Sequence, residues 1–349
     1  MKKSPLLLIA FGLFMHSTRG QTRADSVQLI RNTVKLYDLD FTEAEADSMI
    51  GNLRFYQQLY KGMHNSSLTN DVPYPFAFHP APVGMKISTK REKISWDIPL
   101  RTELPASKND LAFYSIPQLA ALIVKKKISS VELTKFFIAR LKKWGDTLEC
   151  VITLTEDLAL QQAKQADDEL KQGIYRGLLH GIPYGLKDLF AVKGYKTTWG
   201  TTPYKDQVID TDSYVYLQLK RSGAVLCAKL SMGALAYNNK WFGGETRNPW
   251  NLKQGSSGSS AGSAAATASG LLPFTIGTET LGSIVSPSTR CGATGLRPTF
   301  GTVSRHGAMV LCWSLDKIGP ICRSAEDAAI VYAFIHGTDG NDPSAIRHT

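Results

Sequence analysis

From Gly255 to Gly270 the chain reads GSSGSSAGSAAATASG, a run in which no side chain is larger than threonine. A flexible linker can begin this way. A linker, however, is followed by a fresh domain start, and this run passes from Ser/Gly into an Ala-rich half that favours helix. Small side chains also let neighbouring elements pack close. A strand-like LLPFTIGTE follows, then TLGSIVSPSTRCGATGLRPTFG, dense in Gly, Pro and Ser. Turns packed that densely shape a site rather than a spacer. The run is therefore read as close-packed structure leading into a functional loop.

The surrounding sequence sets the fold class. SIPQLAALIVKKKISSVELTKFFIARLKKWG carries two helical patterns, the second opened by a Ser129/Glu132 capping box. CVITLT and GAVLCAKL read as strands and EDLALQQAKQADDELKQG as a helix. Helices alternating with short apolar strands predict an α/β sheet domain over residues 111–349. Upstream, SVQLIRNTVKLY and EADSMIGNLRFYQQLY predict two amphipathic helices. Residues 66–110 carry Pro73, Pro75, Pro80, Pro82, Pro99 and Pro105 without helical periodicity, which predicts an extended connector. Residues 21–110 are thus a helical extension plus connector. Residues 1–20 open with Lys2 and Lys3, continue with PLLLIAFGLFM and end in small and polar residues. That is the layout of a signal peptide cleaved after Gly20, with an apolar stretch too short to span a bilayer. Export to the periplasm or the medium is expected, with no stable membrane insertion after cleavage.

Composition excludes several classes. With 43% hydrophobic and 20% charged residues, the chain is globular in type. The net charge is +10, and +7 once Lys2, Lys3 and Arg19 are set aside; only Lys125, Lys126 and Lys127 cluster, beside a helical pattern. A solvated helix face explains them better than a nucleic-acid patch, and no nucleic-acid partner is expected. The five cysteines form no C-x-x-C pair, and Cys150 and Cys227 sit in strand-like apolar runs as small core residues. The seven histidines show no metal-ligand spacing, so no metal and no cofactor are expected. Walker A, dinucleotide-binding and G-x-S-x-G patterns are absent.

GSSAGSAAATASG followed by IGTETLGSIVSPSTRCGATGLRPTFG resembles the amidase signature family of serine hydrolases. GLLHGIPYGLKDLF resembles that family's lysine-bearing segment, and AKLSMGALAYNNKWFGGETRNPWN the segment between them. The resemblance runs from about residue 113 to about residue 343. It takes in stand-alone amidases as well as the A subunit of the tRNA-dependent amidotransferase. It implies an α/β/α sandwich with a mixed central sheet, incomplete at its C-terminus because family members continue beyond the point that matches Thr349. It also implies a Ser–cis-Ser–Lys triad: Lys187 as base, Ser259 as the bridging serine after a cis peptide bond, and Ser283 as nucleophile. Ser260 would assist by hydrogen bonding. The backbone around Thr280, Leu281, Gly282 and Ser283 would hold the oxyanion.

The chemistry is consistent with those residue types. A serine hydroxyl needs an adjacent base, and lysine serves only when neutral, which burial among apolar and hydroxyl groups favours. Three departures from the family pattern stand out. Leu281 replaces a usual Gly, which is expected to narrow the pocket beside the turn. Glu279 replaces a usual Asp and is read as a turn-holding carboxylate. Val285 replaces an Arg and removes a charge. The expected substrate is a small-molecule amide. The alternatives are an inactive remnant and a transamidating subunit.

Overall fold

The computed structural model describes residues 22–66, 84 and 94–346. The expected signal peptide lies outside them. The chain divides into two compact units, Met1–Ile87 and Ser88–Thr349. The division falls inside the Pro-rich connector.

The first unit is a helical pair. Helix α1 (Arg23–Val34) and helix α2 (Glu43–His64) each start at a threonine capping box, Thr22 with Asp25 and Thr42 with Glu45. In each box the threonine hydroxyl accepts from the third helical N–H, and the carboxylate accepts from the threonine N–H. Val27, Ala46 and Ile50 form its small buried cluster, with Ile30 packed on it. Arg23 donates to Asp47 at 2.5 and 2.6 Å across the pair.

The second unit is built on a mixed sheet. In chain order it contains α3 (Ile116–Val124), α4 (Ser130–Leu148), β1 (Val151–Leu154), α5 (Glu156–Lys171), β2 (Pro183–Lys187), α6 (Tyr214–Arg221) and β3 (Val225–Leu230). Two short ribbons follow: β4 (Lys240–Trp241) with β5 (Gly244–Glu245), and β6 (Arg247–Asn248) with β7 (Asn251–Gly255). Then come α7 (Ala261–Ala268), β8 (Phe274–Glu279), α8 (Val285–Cys291), β9 (Thr294–Gly295), β10 (Lys317–Cys322) and α9 (Ala325–Ile335). The main sheet runs in the order β1-β3-β2-β8-β10-β9. Strand β2 is parallel to both β3 and β8, while β1, β10 and β9 join antiparallel. Strands β2, β3 and β8 are buried along their whole length, as expected of parallel strands covered on both faces.

The sequence accounts for the cover. Helix α4 starts at the Ser129/Glu132 box and buries Leu133, Phe136, Phe137, Leu141 and Leu148, a stripe at three- and four-residue spacing. Each such side chain removed from water contributes roughly 1.5–3 kcal/mol. Part of the Pro-rich stretch belongs to this unit: Trp96 and Ile98 pack on the core, and Lys127 Nζ donates to the Thr102 carbonyl at 2.9 Å. Among the described residues all five cysteines are free, and only Cys312 is not buried. No helix among the described residues is long and apolar enough to cross a membrane.

Candidate active site

Helix α7 is the answer to the Gly/Ser/Ala run. All of its residues are buried, so it has no outward face. A β-carbon on Gly262 would lie 2.5 Å from the Cys150 carbonyl oxygen and 2.6 Å from the Ser231 nitrogen. The helix therefore sits almost against the strand ends behind it, and larger side chains have no room. Its hydroxyls are satisfied from β8: Ser263 Oγ donates to the Ile276 carbonyl at 3.1 Å, and Thr267 Oγ1 lies 3.0 Å from Thr275 Oγ1. Just before the helix, the Gly258–Ser259 peptide bond is cis. A β-carbon on Gly258 would come within 1.8 Å of the Asn238 carbonyl oxygen, so only glycine fits that approach.

This geometry delivers Ser259 and Ser260 to the carboxyl ends of β2 and β8. Lys187, the last residue of β2, is fully buried there. Its Nζ lies 2.8 Å from Ser259 Oγ, 3.1 Å from Ser260 Oγ, 2.9 Å from Thr278 Oγ1 and 3.4 Å from the Thr278 carbonyl. None of these partners is a carboxylate. Burial pulls the Lys187 amine down to about 7, against the weaker upward pull of Asp316 and Glu279. Ser260 Oγ also donates to the Thr278 carbonyl at 3.0 Å and accepts from the Thr278 N–H at 3.2 Å. Gly277 makes space for that hydroxyl, since a β-carbon there would meet it at 2.7 Å.

Ser283 lies in the turn between β8 and α8 and is half-buried. Its carbonyl accepts from the Ser260 N–H at 3.1 Å, which ties the turn to the start of α7. Among the described residues no hydrogen bond joins Ser259 Oγ to Ser283 Oγ. The turn is held by Glu279, which accepts from the N–H groups of Ile284 at 2.9 Å and Val285 at 3.0 Å. Burial pushes the Glu279 carboxyl up. Hydrogen bonds from Val285, Ile284 and Gly282, with nearby Arg297, outweigh burial and hold it below its ordinary value. Glu279 thus acts on the turn as a carboxylate anchor, and the Gly282 N–H faces it. Thr280 is fixed at both ends: its hydroxyl donates to Asp316, and its carbonyl accepts from Lys317 Nζ at 3.0 Å. Leu281 stands at the tip of the same turn. Its side chain is 87% exposed, so it is not packed against β8.

Sequence reasoning missed Thr278, Asp316, Lys317 and Lys229. Thr278 was legible in part, since it stands on the strand-like segment next to Glu279. The other three come from strand pairing that no local pattern announces. Asp188, the neighbour of Lys187, turns away from it and pairs with Lys229 at 2.7 Å.

Fold and site together define an α/β protein with a buried lysine–serine cluster at the carboxyl ends of its parallel strands. The amidase family model matches residues 132–348, and the chain belongs to that family. It is 42% identical over 236 residues to the A subunit of glutamyl-tRNA(Gln) amidotransferase from Coxiella burnetii, a match that covers 67% of this chain and 49% of that protein. The peptide amidase of Stenotrophomonas maltophilia superposes with TM-score 0.64 at 35% identity, over 68% of this chain and 50% of that one. A bacterial aryl acylamidase of the amidase signature family superposes with TM-score 0.63 at 29% identity, over 68% and 50%. The chain spans about half the length of the curated relatives it matches.

Proposed function

We propose that this chain carries the nucleophile and base of an amide hydrolase acting through an acyl-enzyme. The neutral Lys187 amine takes a proton from the Ser259 hydroxyl, which takes one from Ser283 as its Oγ attacks the amide carbonyl. The oxyanion is held by backbone N–H groups of the 280–283 turn other than that of Gly282, which faces Glu279. Collapse of the tetrahedral intermediate breaks the C–N bond, and the proton returns through Ser259 to the departing ammonia or amine. Water, activated by the same relay, then hydrolyses the Ser283 ester. The observation that carries this reading is Lys187 itself: fully buried, with hydroxyl and carbonyl partners only, and 2.8 Å from Ser259 Oγ. A lysine in that setting can be an uncharged base near neutral pH.

Two other readings each have an observation behind them. The 42% identity to an amidotransferase component favours transamidation with partner subunits. The open step between Ser259 and Ser283 favours an inactive remnant. Export remains part of the proposal and rests on Lys2, Lys3 and the apolar residues 5–15; N-terminal sequencing of the secreted or periplasmic protein tests it.

The deciding experiment is fluorophosphonate labelling of the purified chain with mass-spectrometric location of the adduct. An adduct on Ser283, formed at least ~100-fold more slowly in Lys187→Ala and Ser259→Ala, supports the relay. A folded chain that takes no label, or takes it on another serine, overturns it.

A further inference from the structure

The central strands hold two fully buried lysines, Lys187 on β2 and Lys229 on β3. The parallel register pairs Lys187 with Leu230 and Leu186 with Lys229. Side chains alternate along a strand, so the two lysines lie on opposite faces of the sheet. Lys187 meets hydroxyls. Lys229 meets Asp188 at 2.7 Å, the Lys196 carbonyl at 2.8 Å and Thr197 Oγ1 at 3.1 Å. Asp188 is fully buried as well. Its Oδ2 accepts from the Thr198 N–H at 2.9 Å and from the Thr198 hydroxyl at 2.5 Å. Its Oδ1 has no hydrogen bond of good geometry, so the Lys229 ammonium is what compensates that oxygen.

We propose that Lys229 is an electrostatic positioning residue for the site: by neutralising Asp188 on the far face of the sheet, it removes the field that this buried carboxylate, next in sequence to Lys187, would otherwise exert on that amine through the strand. This rests on the reading of Lys187 as the base. Without the pairing, an uncompensated buried carboxylate one residue away would favour the charged ammonium, and a charged Lys187 cannot accept a proton. On the Lys187 side, the charged groups acting on the amine are Asp316 before β10 and Glu279 at the end of β8. Glu279 is committed to the backbone of the turn and to Arg297, and Asp316 to Thr280 and to the Leu311 and Cys312 N–H groups. Each carboxylate near the amine thus has partners of its own.

The test reads Lys187 directly. The whole chain is labelled with 13C at the lysine ε-carbons, Lys187 is assigned as the resonance lost in Lys187→Arg, and its titration is followed from about pH 5 to about pH 10. Lys229→Met should raise the midpoint by about one pH unit, and Asp188→Asn should lower it by a similar amount, because each leaves a charge of opposite sign behind. The Asp188→Asn/Lys229→Met double variant should return it to the wild-type value. Midpoints unmoved in both single variants, or moved in the same direction, overturn the proposal. If a single variant does not fold, Lys229→Arg and the double variant carry the test. Both leave that face neutral in sum, so a displaced midpoint in either overturns it. Ser283 labelling of the wild type runs alongside. Its failure would sink the assignment of Lys187 as base, while the titration still decides the electrostatic role of Lys229.

Discussion

Lys187 joins two quantities that are usually measured apart, reactivity and stability. An unfolded lysine keeps its proton up to about 10.5, whereas burial in the fold releases it at about 7. Between those values the unfolded chain binds more protons than the folded one, so stability rises with pH across that window. At ~1.4 kcal/mol per pH unit the gain is at most about 5 kcal/mol. The urea midpoint of the wild type should therefore climb between about pH 7 and pH 10 more steeply than that of Lys187→Met. Equal slopes would mean that the amine is not desolvated as described. The same direction applies to reactivity: labelling of Ser283 should increase as pH rises through about 7.

Among the elements, α7 is the most constrained. Gly262→Ala sets a methyl 2.5 Å from the Cys150 carbonyl, so the helix must move outward and carry Ser259 and Ser260 with it. A loss of ~2–4 kcal/mol by denaturant melting, with slower Ser283 labelling, is expected; an unchanged melting midpoint would refute the close-approach argument. The sequence revealed this element well, because small residues in series leave few alternatives. It also revealed α4 and α5 by apolar spacing, and β1, β3 and β8 by short apolar runs. Strand β2 was harder to read, since PYGLK is short and carries Gly185 and a lysine. Gly185 is needed because a β-carbon there would meet Leu230 Cδ1 at 2.6 Å. Strand β10, KIGPIC, contains a proline that argues against a strand. It pairs on both sides nonetheless, through β8 and β9. The lysine and serines of the site were legible through motif order. Asp316, Lys317 and Lys229 were not, because their positions depend on which strands pair.

At the scale of the whole second unit, Arg305 ties the last described segment to the loop before β10. It donates to Asp342 at 3.1 Å and to the Trp313 carbonyl at 2.7 Å, and its guanidinium lies over the Phe300 and Trp313 rings. Burial pushes the Asp342 carboxyl up, but bonds from Arg305 and Ser344 bring it down to about 2. That contribution is present above the ordinary carboxylate range and is lost as pH falls toward 2. Asp342→Asn should destabilise the fold by about 3 kcal/mol at neutral pH and flatten its acid denaturation; a wild-type acid profile would refute the clamp. The buried α7 also has a practical meaning for anyone wishing to redirect such a protein. Its backbone distances set both how the unit holds together and where Ser259 stands, so residues 255–270 offer a library almost nothing to vary. Variation belongs on the rim, where Leu281 on the Ser283 turn and Val285 at the start of α8 are both exposed and can change without disturbing the strands beneath.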